Sequence, residues 1–184
     1  MTHALIVGPR HVGKTTLIDR VLAELGRPVC GFQTKKETEF ADEQGREPVY
    51  IYLPGKPRFH TAENLVGYCS AKGFTTVPGV FHRYAAHILR PVPREGVLVF
   101  DEIGFMEAKE QAFCQAIFSR LEGDVPVIAA VKNNTGFAFL EQVRSHPNCR
   151  CFSITAENRD ELFGQVLDFM RVQLESAAAG GKDG

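Results

Sequence analysis

Residues Gly8-Pro9-Arg10-His11-Val12-Gly13-Lys14-Thr15 fit the pattern G-x-x-x-x-G-K-[ST], with an apolar run from Ala4 to Val7 ahead of them. Behind them Leu17, Ile18, Val21, Leu22 and Leu25 recur at helical spacing, and Gly26 stands where such a helix stops. Few chains can do anything but fold strand, glycine loop, helix around such a segment. The glycines let the backbone curl until successive N–H groups face one anion, and the helix adds the positive end of its dipole. A glycine turn that happens to carry a lysine is the alternative, but the flanking strand and helix favour a phosphate-binding loop. On that reading Gly8, Pro9, Arg10, His11, Val12, Gly13, Lys14, Thr15 and Thr16 surround a nucleoside triphosphate. Lys14 reaches the β- and γ-phosphates, Thr15 gives a hydroxyl to Mg²⁺, and His11 need only present its backbone.

The rest of the chain alternates. Val29 to Phe32 reads as a short buried strand, and Val97 to Phe100 and Val127 to Val131 are continuous apolar runs suited to strands covered on both faces. Helical patterns lie at 81–89 (ended by Pro91), at Phe113, Ile117 and Leu121, and at Phe137, Leu140 and Val143. A last strand from Cys149 to Ile154 precedes an amphipathic helix from Leu162 through Leu174. This rhythm predicts a three-layer α/β fold on a mostly parallel sheet. The interval 34–80 breaks it: Val49-Tyr50-Ile51-Tyr52-Leu53 suits a strand and Pro54-Gly55 a turn, so an antiparallel insertion is expected. With 184 residues one domain over 1–175 is expected, and the Ala/Gly-rich 176–184 reads as a disordered tail.

Composition narrows the partners. A net charge of -1 promises no basic face, so nucleic acid is not expected. No apolar run approaches the ~20 residues of a membrane span, and the N-terminus enters a core strand directly instead of a leader, so no membrane association is expected. Five cysteines without framework spacing suit a reducing cytoplasm. Cys149 and Cys151 would share a strand face, but without a second pair they read as buried thiols and not as metal ligands.

The Val97–Phe100 run ends in Asp101-Glu102, a Walker B pattern. Ligands of open α/β sheets bind beyond the carboxyl ends of the strands, which sets this end against the phosphate loop. Asp101 would hold Mg²⁺ opposite Thr15, while Glu102 would orient a water, or take its proton, for in-line attack on the γ-phosphate. The competing role for Glu102 is a carboxylate stabilising the start of a following helix. The loops 132–136 and 155–160 are candidates for the base and ribose, through Asn133, Asn134, Asn158 and a stacking Arg159. Asn158 with Glu161 also has the spacing of a helix cap and its reciprocal box. Phosphoryl transfer calls for a cation beyond Lys14, with Arg10, Lys35, Lys36, Arg83 and Arg90 as candidates.

Taken together, Gly8 to Leu17, Gly31-Phe32-Gln33-Thr34, Asp101-Glu102-Ile103-Gly104-Phe105-Met106-Glu107 and Asn158-Arg159-Asp160 resemble the small cancer-related nucleoside triphosphatase family of P-loop proteins, over about residues 4 to 172. The resemblance implies a RecA-like core and slow Mg²⁺-dependent hydrolysis of ATP, GTP and other triphosphates with little base selectivity. It assigns Lys14, Thr15, Asp101 and Glu102 the roles argued above. Members usually carry lysine where this chain has Phe105, and acidic residues where it has Lys35-Lys36. A small-molecule or nucleoside kinase using 34–80 as acceptor site is one alternative, though that interval offers only Arg46 and Arg58 for a lid. A nucleotide-dependent switch or adaptor with an unknown protein partner is the other.

Overall fold

The computed structural model describes residues 2–93, 95–133 and 136–180. Eight strands form one sheet: β1 (His3–Gly8), β2 (Val29–Lys36), β3 (Glu47–Tyr52), β4 (Leu65–Ser70), β5 (Gly73–Thr76), β6 (Val97–Ile103), β7 (Val127–Lys132) and β8 (Cys149–Ser153). Their order is β5-β4-β3-β2-β6-β7-β1-β8. From β2 to β8 every pairing is parallel, whereas β3, β4 and β5 add antiparallel strands at one side.

Among the described residues the α-helices are α1 (Lys14–Leu25), α2 (Val80–Ile88), α3 (Gln111–Leu121), α4 (Ala138–Arg144) and α5 (Arg159–Gly180). The period of two along the central strands divides their side chains between two cores. Leu5, Leu98, Phe100, Ala129 and Val131 pack with Phe81, Phe113, Ile117 and Leu140 from α2, α3 and α4. Ala4, Ile6, Val97, Val99, Ile128 and Ala130 pack with Leu17, Ile18, Val21, Val166 and Met170 from α1 and α5. Strands covered on both faces have no polar alternation to display, which explains the continuous apolar runs. The result is the expected three-layer α/β architecture, with the antiparallel portion in the expected interval.

Two boundaries and the burial of one cysteine differ from expectation. β2 continues through the charged residues to Lys36 because β3 pairs with that extension, Lys36 facing Val49. α5 runs to Gly180, past the expected end of order at 175, since alanine sustains a helix without tertiary support; residues 181–184 lie outside the described ones. Cys151 is exposed and not buried, because β8 is an edge strand; Cys149 is buried and all five cysteines are free thiols.

His3, the first residue of β1, is a buried polar anchor. Its Nε2–H donates to the Leu121 carbonyl at 3.0 Å and its Nδ1 accepts the Val127 N–H at 3.2 Å, which fixes the neutral tautomer. Burial pushes its pKa down to about 4 from 6.5, against a smaller opposing pull from the Leu121 carbonyl. Below pH 6.5 the unfolded chain takes up a proton that the folded one refuses until about pH 4. The stability contributed by the neutral ring is therefore complete above 6.5 and lost as the pH falls to 4, a loss on the order of 3 kcal/mol. Urea unfolding of the wild type and His3→Gln across this range checks it: their stability difference should shrink as the pH falls, and a pH-independent difference would refute it.

Candidate active site

The carboxyl ends of β1, β2, β6 and β7 open on one side of the sheet, and the phosphate loop crosses it there. β1 ends at Gly8, where a Cβ would lie 2.6 Å from the Ile154 carbonyl oxygen, so only glycine lets the loop leave so close to the neighbouring chain. Gly13 starts α1 in the left-handed region with φ 106°. Between them the loop folds around the Lys14 ammonium, which donates to the carbonyls of Gly8 at 3.2 Å and Pro9 at 2.9 Å. Lys14 is 8 % exposed and its Nζ lies 3.3 Å from Glu102 Oε1.

β6 carries both Walker B carboxylates. Asp101 is 5 % exposed and its Oδ1 accepts the Thr15 hydroxyl at 3.2 Å. Burial, reinforced by the Glu102 charge and opposed by the Thr15 hydrogen bond, pushes its pKa up to about 6. The phosphate loop and Walker B strand therefore meet through Thr15–Asp101 and Lys14–Glu102. Glu102 lies inside β6, ahead of α3, so it is not the helix-start carboxylate considered as its alternative role. Thr34 on β2 grips the Glu102 backbone: its hydroxyl accepts the Glu102 N–H at 3.2 Å and lies 3.3 Å from the Glu102 carbonyl.

Glu107, given no role from the sequence, is 4 % exposed and closes the turn after β6. Its Oε2 accepts the Gly104 N–H at 3.0 Å, and burial pushes its carboxyl pKa up to about 7. Nothing local in the sequence marks it as buried; only its place beside the Walker B pair does.

A cavity of about 470 Å³ opens beside this constellation, between the phosphate loop and the antiparallel strands. Arg10 and Lys36 line it, Lys36 paired with Glu47. Lys35 instead pairs with Glu37 at 3.0 Å, and Arg83 donates to the Glu63 carbonyl. Arg90 lies beyond α2, where its carbonyl accepts from Arg120. None of those three lines the cavity. A second cation beside Glu102, after Lys14, is Lys132, at the end of β7, with Nζ 3.7 Å from Glu102 Oε2 and 4.1 Å from the Phe105 ring centre. Lys132 and Asn133 thus line the cavity on the Walker B side. The reason is topological: β7 lies between β6 and β1, so its end sits between the Walker B residues and the glycine loop. Asn134 lies outside the described residues.

On the other side of the loop, toward β8, a cavity of about 220 Å³ is lined by Gly13, Thr16, Arg20, Glu157 and Arg159. Asn158 braces its rim. The amide donates to the Ser153 carbonyl at 2.9 Å and accepts the Thr155 N–H at 2.8 Å, turning back to β8 and not onto the first turn of α5 as a capping box would. Among the described residues no group of three or more His, Cys, Asp or Glu is placed to hold a metal ion on its own.

Comparison with known proteins identifies relatives of this chain and of its fold. A bovine (Bos taurus) cancer-related nucleoside-triphosphatase homolog is 28 % identical over 193 residues, spanning 92 % of this chain and 96 % of that protein. The solution structure of a human cancer-related nucleoside triphosphatase superposes with a TM-score of 0.66 at 25 % identity, covering 94 % of this chain and 98 % of the other. The crystal structure of THEP1 from Aquifex aeolicus shares the fold, with a TM-score of 0.65 at 22 % identity over 91 % of this chain and 98 % of the other. The family model described as NTPase matches residues 3–167, so this chain belongs to that P-loop NTPase family, alongside the cancer-related nucleoside-triphosphatases and THEP1.

Proposed function

We propose that this protein hydrolyses the γ-phosphate of nucleoside triphosphates, Mg²⁺-dependent and with little regard to the base. The observation that carries the reading is Glu102, a carboxylate at the end of β6 whose Oε1 lies 3.3 Å from the phosphate-loop ammonium of Lys14. A group so placed is within reach of a water lined up behind the γ-phosphate. The water oxygen forms a bond to phosphorus, the bond to the β–γ bridging oxygen breaks, and Glu102 takes the water proton. Lys14 stays on the β- and γ-oxygens as charge grows on them.

The metal fits the residues present. Thr15 and Asp101 offer only oxygen donors, as Mg²⁺ requires, and the buried Asp101 carboxylate gains a counter-charge when a cation arrives. Thr15 and Asp101 would hold the ion, which supplies charge neutralisation at the β- and γ-phosphates. Two donors are too few for a site without nucleotide, so metal and triphosphate should bind together.

For the base, the cavity beside Arg159 supports stacking without edge recognition, since Asn158 spends its amide on Ser153 and Thr155. The activity belongs to one domain over 1–175. Among the described residues no helix is long and apolar enough to cross a membrane, and five free thiols support a reducing, cytoplasmic setting.

A kinase reading draws on one observation: about 470 Å³ lined by Val49, Phe74, Phe105 and Met106 exceeds the ~30 Å³ a single water needs. One experiment separates the readings: pure protein with Mg²⁺ and each of ATP, GTP, CTP and UTP, with free and transferred phosphate resolved. Free phosphate is expected from all four, with kcat/KM values within about tenfold, because a stacking arginine reads a π-face. A preference of about 10⁴ for one base would require buried, paired edge contacts and would contradict the broad hydrolase.

A further inference from the structure

We infer that Lys132 is a second γ-phosphate ligand and the transition-state cation of this hydrolysis, held in place by the ring of Phe105; the inference rests on the hydrolase reading above. The Glu102 carboxylate is shared between two ammonium groups, Lys14 at 3.3 Å from Oε1 and Lys132 at 3.7 Å from Oε2. Two ammonium groups therefore converge on one carboxylate at the point where a γ-phosphate would end. A phosphate group, with more charge and more acceptor oxygens than a carboxylate, is the better partner for both.

The Lys132 side chain is built into that position. Its ammonium lies 4.1 Å from the centre of the Phe105 ring, whose π-face attracts it. Its stem passes over Gly104, where a Cβ would lie 3.1 Å from Lys132 Cδ. Its carbonyl accepts Arg144 Nη1 at 2.8 Å, which fixes the end of β7. The side chain is 31 % exposed, open to a ligand in the cavity but not a freely solvated surface lysine. Lys36, the other lysine of that cavity besides Lys14, is committed to Glu47.

When the γ-phosphate enters, both ammonium groups transfer from Glu102 to phosphate oxygens. Glu102 is thereby released from two ion pairs and becomes free to hold the attacking water. Lys132 exchanges no proton; it offsets the charge that accumulates on the γ-oxygens as the bridging bond breaks.

Three proteins test this: wild type, Lys132→Met and Phe105→Leu, each assayed for turnover of Mg²⁺-ATP and titrated with ADP and with a non-hydrolysable ATP analogue. Lys132→Met should lower kcat about 10²-fold, since it removes one charge that counts most in the transition state. Because Lys132 touches only the γ group, ADP affinity should stay within about twofold while analogue affinity drops about tenfold. Phe105→Leu keeps an apolar side chain but removes the π-face, and kcat should fall by about three- to tenfold with ADP affinity kept. Lys132→Met turning over at the parental rate, or losing ADP and analogue affinity equally, would overturn the assignment. A wild type that releases no phosphate would instead count against the hydrolase reading itself.

Discussion

Lys14→Ala should weaken Mg²⁺-ATP binding by about 10²-fold and remove measurable turnover with it, because each charge-assisted hydrogen bond to phosphate contributes about 1.5–3 kcal/mol. Lys14 sits inside the loop, bonded to the Gly8 and Pro9 carbonyls and paired with Glu102. Its removal takes away the ammonium that the loop encloses. The helix dipole and the loop N–H groups remain, so some diphosphate affinity should survive. Calorimetric titration of both proteins with ATP and ADP reads this directly. Unchanged affinity for both nucleotides would mean that the loop is a glycine turn and not a phosphate site.

Glu102→Gln separates chemistry from binding. The amide keeps the size of the carboxylate and its place on β6, but it neither accepts a proton nor carries the charge that polarises a water. Turnover should fall by ~10² or more while Mg²⁺-nucleotide binding persists. Binding should even tighten somewhat, because Lys14 and Lys132 lose the carboxylate that competes with phosphate for them. Single-turnover measurement should then show the variant holding intact triphosphate. Parental turnover by Glu102→Gln would make Glu102 a structural partner of the two lysines and assign the water to another group.

The strand–loop–helix around Gly8 to Thr15 and the strand end carrying Asp101-Glu102 were legible in the sequence because each is contiguous and follows from local spacing. The buried parallel strands were legible too, since burial on both faces leaves an uninterrupted apolar run such as Val97 to Phe100. Lys132 was not. Its local setting, a lysine followed by asparagines after an apolar strand, fits any loop. Only the order β6-β7-β1, which no local pattern encodes, sets it against Glu102 and Phe105.

Asn158 shows the opposite failure. A correct capping signature was present, but the tight return from β8 offered the Ser153 carbonyl and the Thr155 N–H to the same amide, and those bonds prevailed. Glu107 escaped for a third reason: a carboxylate in a motif reads as solvated or ligand-bound, whereas here it is enclosed and bonded to the Gly104 backbone.

Whether the γ-phosphate goes to water is measured most directly with pure protein, Mg²⁺ and ATP in isotopically labelled water, following ADP, free phosphate and its oxygen content together. The geometry of Lys14, Asp101 and Glu102 predicts one phosphate for every ADP, each phosphate carrying one oxygen from water, and no release when the metal is chelated. ADP appearing without matching phosphate, or phosphate free of the label, would contradict it.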